Sequence, residues 1–206
     1  MAYSIESSSD NCYPGTACLI NKMNIRDEAA LADMEAALTL ANISLLEQEP
    51  ISGTFDFAHY KAVHRFLFDE LYDWAGHVRT VNLSKKGTRF APAEEIESMA
   101  NVIFSRVAEA NCFVHDEFET FIQHITDLYC STNLLHPFRD GNGRTQRAFM
   151  TQLIRHAGFD INFDSIDPDE LMIATIHAAH GVTDYLQQIF DEAIFEPDQE
   201  IDLSIQ

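Results

Sequence analysis

The twelve residues from 136 to 147 limit the fold of this chain more than any other stretch, because they must end one helix and start another. Pro137 pushes the residue before it out of the helical region, so the preceding helix has to stop there. Gly141 and Gly143 then allow the backbone to come close to a ligand. A new helix is predicted over about 142–157. We therefore expect a short loop between two central helices.

Apolar residues recur at spacings of three and four over much of the remaining chain, which is typical of amphipathic helices. In the first helix the predicted apolar stripe consists of Leu31, Met34, Leu38, Ala41 and Leu45. The predicted helices, with Asp56, Asp116 and Asp167 at the starts of three of them, cover about 26–49, 57–74, 92–110, 116–135, 168–180 and 183–194.

Residues 79–92 differ from these helices, since β-prone residues flank the turn-forming residues 85–87. Two short strands joined by a turn are predicted there. The predicted fold class is therefore mainly α, a helical bundle with one small β-hairpin. The expected division of the chain is an N-terminal arm over 1–23, a single domain over 24–195 and an acidic tail over 196–206.

The charge of the chain excludes several classes of partner. The formal net charge is −20, with only 13 lysines and arginines, so free nucleic acid would be repelled.

The N-terminus lacks the basic start and apolar run of a signal peptide, and no stretch approaches the ~18 apolar residues of a membrane span. Four scattered cysteines indicate reduced thiols. We expect a protein that acts in the cytoplasm, or in a host cell after translocation, without a membrane or nucleic-acid partner.

The loop and the helix after it have the features of a phosphate-binding site. Gly141, Asn142 and Gly143 place backbone N–H groups at a helix N-terminus, where the helix dipole favours an anion. Arg144 and Arg147 share one helix face, although cations at this end oppose the dipole by roughly 0.3–1 kcal/mol each. An anion between them would explain their position, and pairing with surface acids is the alternative.

Three further side chains complete the predicted site. Asp140 offers a carboxylate next to the phosphates, which suits Mg²⁺, or alternatively a helix N-cap. His136 can take a proton near neutral pH, although a histidine at a helix end is often only structural. Phe138 is apolar within a polar loop and is predicted to anchor it. A calcium loop is a weaker interpretation of residues 140–143, since the twelve-residue acidic pattern is missing.

The segment 136–147 resembles the Fic family motif, H-x-F-x-D/E-G-N-G-R-x-x-R, at every specified position. Residues 63–79, which include Leu-Tyr-Asp-Trp-Ala-Gly, and the hairpin after them are also similar to Fic proteins. The likeness covers about 24–194, and Tyr13-Pro14-Gly15 resembles the bacterial Fic toxin branch more weakly. The resemblance implies the Fic fold and transfer of AMP from ATP to a hydroxyl of another protein.

The resemblance also implies a role for each motif residue. His136 would deprotonate a Tyr, Ser or Thr hydroxyl of the target, and Asp140 would hold Mg²⁺ against the α- and β-phosphates. Residues 141–143 would form the anion hole around these phosphates. Arg144 would pair with the β- and γ-phosphates, and Arg147 would reach the γ-phosphate.

Two further implications concern the target and the reaction. Kinase-like Doc relatives carry lysine in place of Gly143 and bind their nucleotide reversed, so glycine favours AMP transfer. The hairpin would be the flap, which holds the target segment by strand-like pairing through Asn82, Leu83, Ser84, Lys85, Lys86, Gly87, Thr88, Arg89 and Phe90.

Regulation is expected to come from another protein. Many Fic proteins carry an inhibitory helix of pattern S/T-x-x-x-E-G/N, but no glutamate of this chain is followed by Gly or Asn. The resemblance then implies that a small separate antitoxin supplies a glutamate to Arg147. The alternatives are an unregulated chain, or an atypical glutamate of its own such as Glu35, Glu192 or Glu196.

Other functions stay open at this level. The same site could transfer UMP, phosphocholine or phosphate, or remove AMP by hydrolysis. A non-enzymatic binding module is less consistent with an intact His136 at the loop, and a plain helical bundle would leave the arginines unexplained. Type II topoisomerase subunits are the first candidate targets, by analogy with toxins of this branch.

Overall fold

The computed structural model describes residues 4–5, 11–85 and 88–197, and these residues are mainly helical, which confirms the predicted fold class. The helices are α1 (Glu28–Gln48), α2 (Phe57–Phe68), α3 (Ile96–Glu109), α4 (Phe118–Leu135), α5 (Asn142–His156), α6 (Pro168–Ala179) and α7 (Asp184–Ala193). The strands are β1 (Ser4–Ile5), β2 (Leu83–Lys85), β3 (Thr88–Arg89), β4 (Asp160–Ile161) and β5 (Ile194–Phe195), and the β4–β5 pair was not predicted.

Helix α5 lies at the centre of the bundle. Phe149, Met150, Leu153 and Ile154 are completely buried, and helices α1, α2 and α4 pack against α5. Burying one such side chain is worth about 1.5–3 kcal/mol. The packing therefore fixes the N-terminus of α5, which is where the glycine-rich loop ends.

Two of the three predicted capping residues are confirmed. Asp56 accepts a hydrogen bond from the N–H of His59 at 2.8 Å, and Asp167 accepts from the first turn of α6, which begins with a proline. The prediction was wrong for Asp116, because α4 starts further along the chain. The carboxylate of Asp116 instead lies 2.7 Å from Nδ1 of His124, and Glu117 is the N-cap residue of α4.

Helix α2 is shorter than predicted, since it ends at Phe68 and not near Trp74. The chain turns back on itself here, and the N–H of Gly76 donates to Nδ1 of His64 at 2.8 Å. Gly76 has φ +79°, and a Cβ at this position would lie 2.8 Å from the Cβ of Arg65. A glycine is therefore needed at this close approach of two backbone segments.

Helix α1 packs through a face that only partly matches the predicted stripe, of which Leu31 is buried. Met34 and Leu45 of the predicted stripe are 38% and 53% exposed. The contacts of α1 with α2 and α5 are partly polar; for example, the side-chain amide of Asn42 donates to the carbonyl of Leu67 at 3.3 Å. The buried residues of α1 are Leu31, Thr39, Asn42 and Leu46. Because two of them are polar, the spacing of apolar residues could not identify this face.

Contrary to the expectation from the sequence, α1 is long and apolar enough, by length and composition alone, to cross a membrane. In this structure α1 belongs to the bundle, because it packs on α2 and α5. Its Glu35 binds Arg144 of α5.

The predicted hairpin is present, with β2 antiparallel to β3 and Ser84 opposite Arg89. Residues 86–87, at its turn, lie outside the described residues. Strand β1 pairs with the other edge of β2 and places Ser4 opposite Ser84. The sheet order is therefore β1-β2-β3, with β2 in the middle.

Candidate active site

The loop before α5 is held in shape by its own side chains. Phe138 is completely buried and stacks on His64, with ring centroids 3.8 Å apart. The side chain of Asn142 spans the loop, because its Oδ1 accepts from the N–H of Phe138 and its Nδ2 donates to the carbonyl of Phe138, both at 2.9 Å. Protein contacts thus preorganise this loop.

Gly141 has to be glycine for two reasons. Its φ is +76°, which other residues rarely adopt. A Cβ built on it would lie 2.3 Å from Cζ of Phe68. At Gly143 a Cβ would meet only Nη1 of Arg147, at 3.4 Å. Because these two positions have no side chain, the backbone can pass from the loop into α5 here. The first N–H groups of the helix have no intrahelical acceptor and point toward the loop.

His136 ends helix α4 in the left-handed conformation, with φ 43° and ψ 59°. Its Nδ1 lies 3.1 Å from the carbonyl of Asn133, and because a carbonyl only accepts, Nδ1 carries the hydrogen. The lone pair is then on Nε2, which can take a proton. Burial lowers the pKa of His136 to about 3, with Arg79 and Lys85 adding to the effect. The imidazole is therefore neutral near pH 7, as a general base must be.

Arg79 is a buried side chain that joins the hairpin to the loop. Its Nε donates to the carbonyl of His136 at 2.8 Å, and its Nη1 and Nη2 donate to the carbonyls of Val81 and Ala91, both at 2.6 Å. Val81 and Ala91 are at the two ends of the hairpin segment. One guanidinium thus fixes the base of the hairpin and the left-handed backbone of His136 together. The family resemblance includes Arg79, but the sequence alone assigns it no role.

His64 supports the loop through a hydrogen bond to the loop backbone. It is fully buried, and its Nδ1 accepts the N–H of Gly76, so its Nε2 must carry the hydrogen. That Nε2–H donates to the carbonyl of Asp140 at 3.1 Å. Burial lowers the pKa of His64 to about 3, so the neutral ring keeps this arrangement over the ordinary pH range.

Asp140 is a largely buried carboxylate at the edge of the loop. Its Oδ1 accepts the N–H of Gly141 at 2.6 Å, but Gly141, and not Asp140, is the N-cap residue of α5. Burial and the nearby charge of Glu35 raise the pKa of Asp140, while Arg144 opposes the shift. A bound divalent cation would relieve the cost of this buried negative charge.

The three arginines near the loop point to different places. Arg139 is buried, and its Nη2 lies 3.8 Å from Sγ of Cys12, away from the helix N-terminus. Arg144 forms an ion pair with Glu35. Glu35 is one of the atypical glutamates suggested as a partner for Arg147, but it contacts Arg144 instead. Only Arg144 and Arg147 therefore belong to the predicted phosphate site.

A cavity of about 440 Å³ brings part of the predicted site together, but Asp140 and Arg144 do not line it. Its hairpin side includes Lys85, Thr88 and Phe90, and the ring of Phe90 stacks on His136 with centroids 3.6 Å apart. The loop and α5 contribute His136, Gly143 and Arg147. At the far end the cavity is lined by side chains that the sequence did not identify, namely Ile166, Leu171, Met172, Thr175 and Ile176.

Some predicted flap residues lie outside this cavity. Leu83 is buried, and the side-chain carbonyl of Asn82 accepts the N–H of Ala93 at 2.9 Å. Both are at the base of the hairpin. Lys86 and Gly87 are outside the described residues, so their predicted role stays a prediction.

A second, larger groove of about 840 Å³ runs between α1 and α5 and reaches Arg144 and Arg147. Leu40 and Ile43 of α1 line one side, and Arg155 of α5 lines the other. Arg147, Phe163 and Asp164 border both cavities.

Comparison with known proteins identifies the family. A model of the Fic/DOC family matches residues 54–154. A probable protein adenylyltransferase of Sinorhizobium fredii, y4lH, is 36% identical over 82% of this chain and 88% of its own length. The chain belongs to the Fic/DOC family. The probable protein adenylyltransferase Fic of Escherichia coli is 31% identical over 89% of this chain and 91% of its own length.

The Fic relatives differ in length. The chain is 34% identical to the protein adenylyltransferase VbhT of Bartonella schoenbuchensis, but spans only 38% of it. Among solved structures, the BepC effector of Bartonella tribocorum with bound AMPPNP has a TM-score of 0.86 at 25% identity, covering 92% of this chain and 98% of the other. A Fic domain of Bartonella quintana with bound ADP has a TM-score of 0.87 at 26% identity, covering 92% and 96%.

Proposed function

We propose that this chain is a protein adenylyltransferase, which transfers AMP from Mg-ATP to a Tyr, Ser or Thr hydroxyl of a target protein. The observation that carries the proposal is one cavity that holds the neutral imidazole of His136 next to the N-terminus of α5. The relatives named protein adenylyltransferase, and the similar structures that contain AMPPNP or ADP, support it.

The proposed reaction is a single displacement at the α-phosphorus. The target oxygen forms a bond to phosphorus while its proton moves to Nε2 of His136. The bond between the α- and β-phosphates breaks, and pyrophosphate leaves. The N–H groups of Asn142 and Gly143 and the guanidinium of Arg144 would stabilise the charge on the phosphates, which supplies most of the catalysis in such reactions. The N–H of Gly141 already donates to Asp140.

Magnesium fits the carboxylate of Asp140. The described residues contain no cluster of three or more metal-binding side chains, so a cation here would take its other ligands from phosphates and water, as Mg²⁺ commonly does. Bound Mg²⁺ would neutralise charge on the phosphates. Asp140 would hold it, while the Asp140 carbonyl is kept in place by His64.

The far end of the first cavity is proposed to hold the adenine base. Ile166, Leu171 and Ile176 form an apolar wall, and Thr175 adds a hydroxyl. Such a mixture of apolar surface and a few polar groups is typical of small-molecule sites. With adenine at this end of the first cavity, the α-phosphate would lie between the adenine and the second groove, which reaches Arg147.

The proposed function is tested with ATP labelled at the α- or the γ-phosphate. We expect label on protein only from α-labelled ATP when the chain is mixed with candidate targets, for which type II topoisomerase subunits are the first choice. Label from γ-labelled ATP would indicate phosphate transfer and would contradict the proposal. A panel with UTP and CDP-choline distinguishes the other groups.

The target segment is proposed to add to the outer edge of β3. The N–H of Phe90 donates to the carbonyl of Leu83 at 3.2 Å, so Leu83 and Phe90 form a hydrogen-bonded pair. Pairs alternate along an antiparallel ladder, so the N–H and C=O of Arg89 point away from β2. The other edge of β2 is already paired with β1.

Arg89→Pro is therefore expected to lower target modification by about tenfold or more, because it removes the outward N–H while proline is tolerated on an edge strand. ATP affinity should stay within about twofold, as measured by calorimetry. Arg89→Ala is the matched control, since it removes the same side chain and keeps the N–H. Equal activity of the proline and alanine variants would show that the target does not pair here.

An inhibitory partner is proposed to bind in the groove between α1 and α5. Leu40 is 68% exposed on one wall, and Arg147 brings positive charge to the other, where Arg155 is already paired with Asp160. An amphipathic helix that carries a glutamate matches this surface, and the glutamate would bind Arg147 in place of the γ-phosphate.

We expect co-expression of this chain with the products of the neighbouring genes to suppress label transfer. Undiminished transfer would argue against such an antitoxin.

A further inference from the structure

We propose that Glu35 of helix α1, held by Tyr72, positions the guanidinium of Arg144 for the β-phosphate of the nucleotide. This inference rests on the proposed function, because it concerns the same nucleotide site. Glu35 lies outside the motif and outside the segment matched by the family model, residues 54–154. It is a positioning residue, since it would act on the nucleotide only through Arg144.

Both oxygens of the Glu35 carboxylate are engaged. Oε1 accepts from Nη2 of Arg144, and Oε2 accepts from the hydroxyl of Tyr72. The side chain of Glu35 is only 13% exposed. A carboxylate held at both oxygens cannot rotate freely, so the direction from which it binds Arg144 is fixed.

Thr39 adds a second contact on the same side of the guanidinium. Its hydroxyl donates to the carbonyl of Glu35 at 2.7 Å, so the oxygen is left to accept from Nη1 of Arg144 at 3.3 Å. Glu35 and Thr39 are one helical turn apart on α1 and share a face. Two donors of Arg144 are thus directed at α1, which leaves three of its five for other acceptors.

The surroundings restrict Arg144 further. The ring of Phe68 lies against the guanidinium of Arg144, and Cζ of Arg144 is 4.8 Å from the centroid of this ring. Tyr72 is fully buried and stacks on Trp74 with centroids 4.3 Å apart. Burial and the contact with Glu35 raise the pKa of Tyr72, so the phenol keeps the proton that it donates.

This arrangement reduces the entropy that nucleotide binding would otherwise lose. A mobile arginine loses rotamer freedom when it binds a phosphate, whereas a side chain that is already ordered does not. Arg144 follows the phosphate loop directly, and its remaining donors can reach an anion at the N-terminus of α5. The β-phosphate would be recognised by a guanidinium that Glu35 has oriented in advance.

The test compares the affinities of ADP and AMP, because only ADP has a β-phosphate. We expect Glu35→Gln to weaken ADP binding by about tenfold in calorimetry and to leave AMP binding within about twofold. Tyr72→Phe, which keeps the ring stack, should give a smaller loss with the same selectivity. Asp33→Asn is the matched control, since it makes the same change of charge at an exposed position of α1.

Each titration is repeated in EDTA, because Glu35 also affects the charge at Asp140. The loss of ADP affinity should persist without Mg²⁺. Unchanged or tighter ADP binding by Glu35→Gln, an equal loss for AMP and ADP, or a loss seen only with Mg²⁺ would each overturn the inference. If the unaltered chain does not bind ADP at all, the proposed function itself fails, and this result is distinct from those for the variants.

Discussion

Replacing His136 by alanine should reduce AMP transfer by about a hundredfold to ten-thousandfold, which is the usual contribution of a positioned general base. Binding of ATP should change by less than about twofold, because the phosphates are held by the N-terminus of α5 and by Arg144. The measurement is transfer from α-labelled ATP, with calorimetry on the same preparations.

The size of this effect follows from how the structure prepares the imidazole. Asn133 fixes the hydrogen on Nδ1, and burial keeps the pKa of His136 near 3. Since the folded-state pKa is below the ordinary value, the ring becomes protonated only in strong acid. The rate should therefore show no loss of this base between about pH 5 and 8. A rate that falls as the pH drops through 6.5 would show that the pKa of the base has the ordinary histidine value and is not lowered.

His77→Ala is the matched control for this experiment, since His77 is an exposed histidine. It should retain full activity. If His136→Ala kept the activity of the unaltered chain, the base would have to be another group, and the proposed mechanism would be wrong.

Arg79→Met should destabilise the fold strongly. Methionine has a similar length but no donors, so the carbonyls of Val81, Ala91 and His136 would lose the partner that they share. A buried carbonyl without a partner costs about 1–3 kcal/mol. We expect the free energy of unfolding to fall by about 3 kcal/mol or more, which for a chain of this size lowers Tm by roughly 6–12 °C.

Activity should fall further than the loss of stability explains, because the left-handed backbone of His136 loses its hydrogen bond to Nε of Arg79. Chemical denaturation gives the stability, and label transfer at a temperature well below Tm gives the activity. Arg79→Lys should lie in between, since an ammonium has three donors but not the planar fork of arginine. Arg106→Met, at an exposed arginine of α3, should have little effect on either measurement.

The motif itself could be predicted because its residues are close in the chain. Pro137 and the two glycines require a loop, and the residues after them require a helix start, so the prediction of a phosphate site follows from local chemistry. The length of α2 and the start of α4 were predicted less well. In both cases the structure shows a side-chain contact that periodicity could not predict, namely Gly76 with His64 and Asp116 with His124.

The face of α1 shows the main limit of the sequence. Its leucines and methionine suggested an apolar stripe, but the buried side includes Thr39 and Asn42, and Glu35 faces the same neighbours. Polar residues can be buried when a distant group satisfies them. The partners of this face are on α2 and α5, and periodicity within α1 carries no information about them.

The sequence by itself determined the helical class, the loop and the residues that are proposed to surround a phosphate, because these depend on neighbours along the chain. Only the tertiary structure decided that Glu35 holds Arg144, that Arg79 joins the hairpin to His136, and which side chains of α6 line the cavity. Such contacts join residues that are far apart in sequence, and their position is set by the packing of several helices at once.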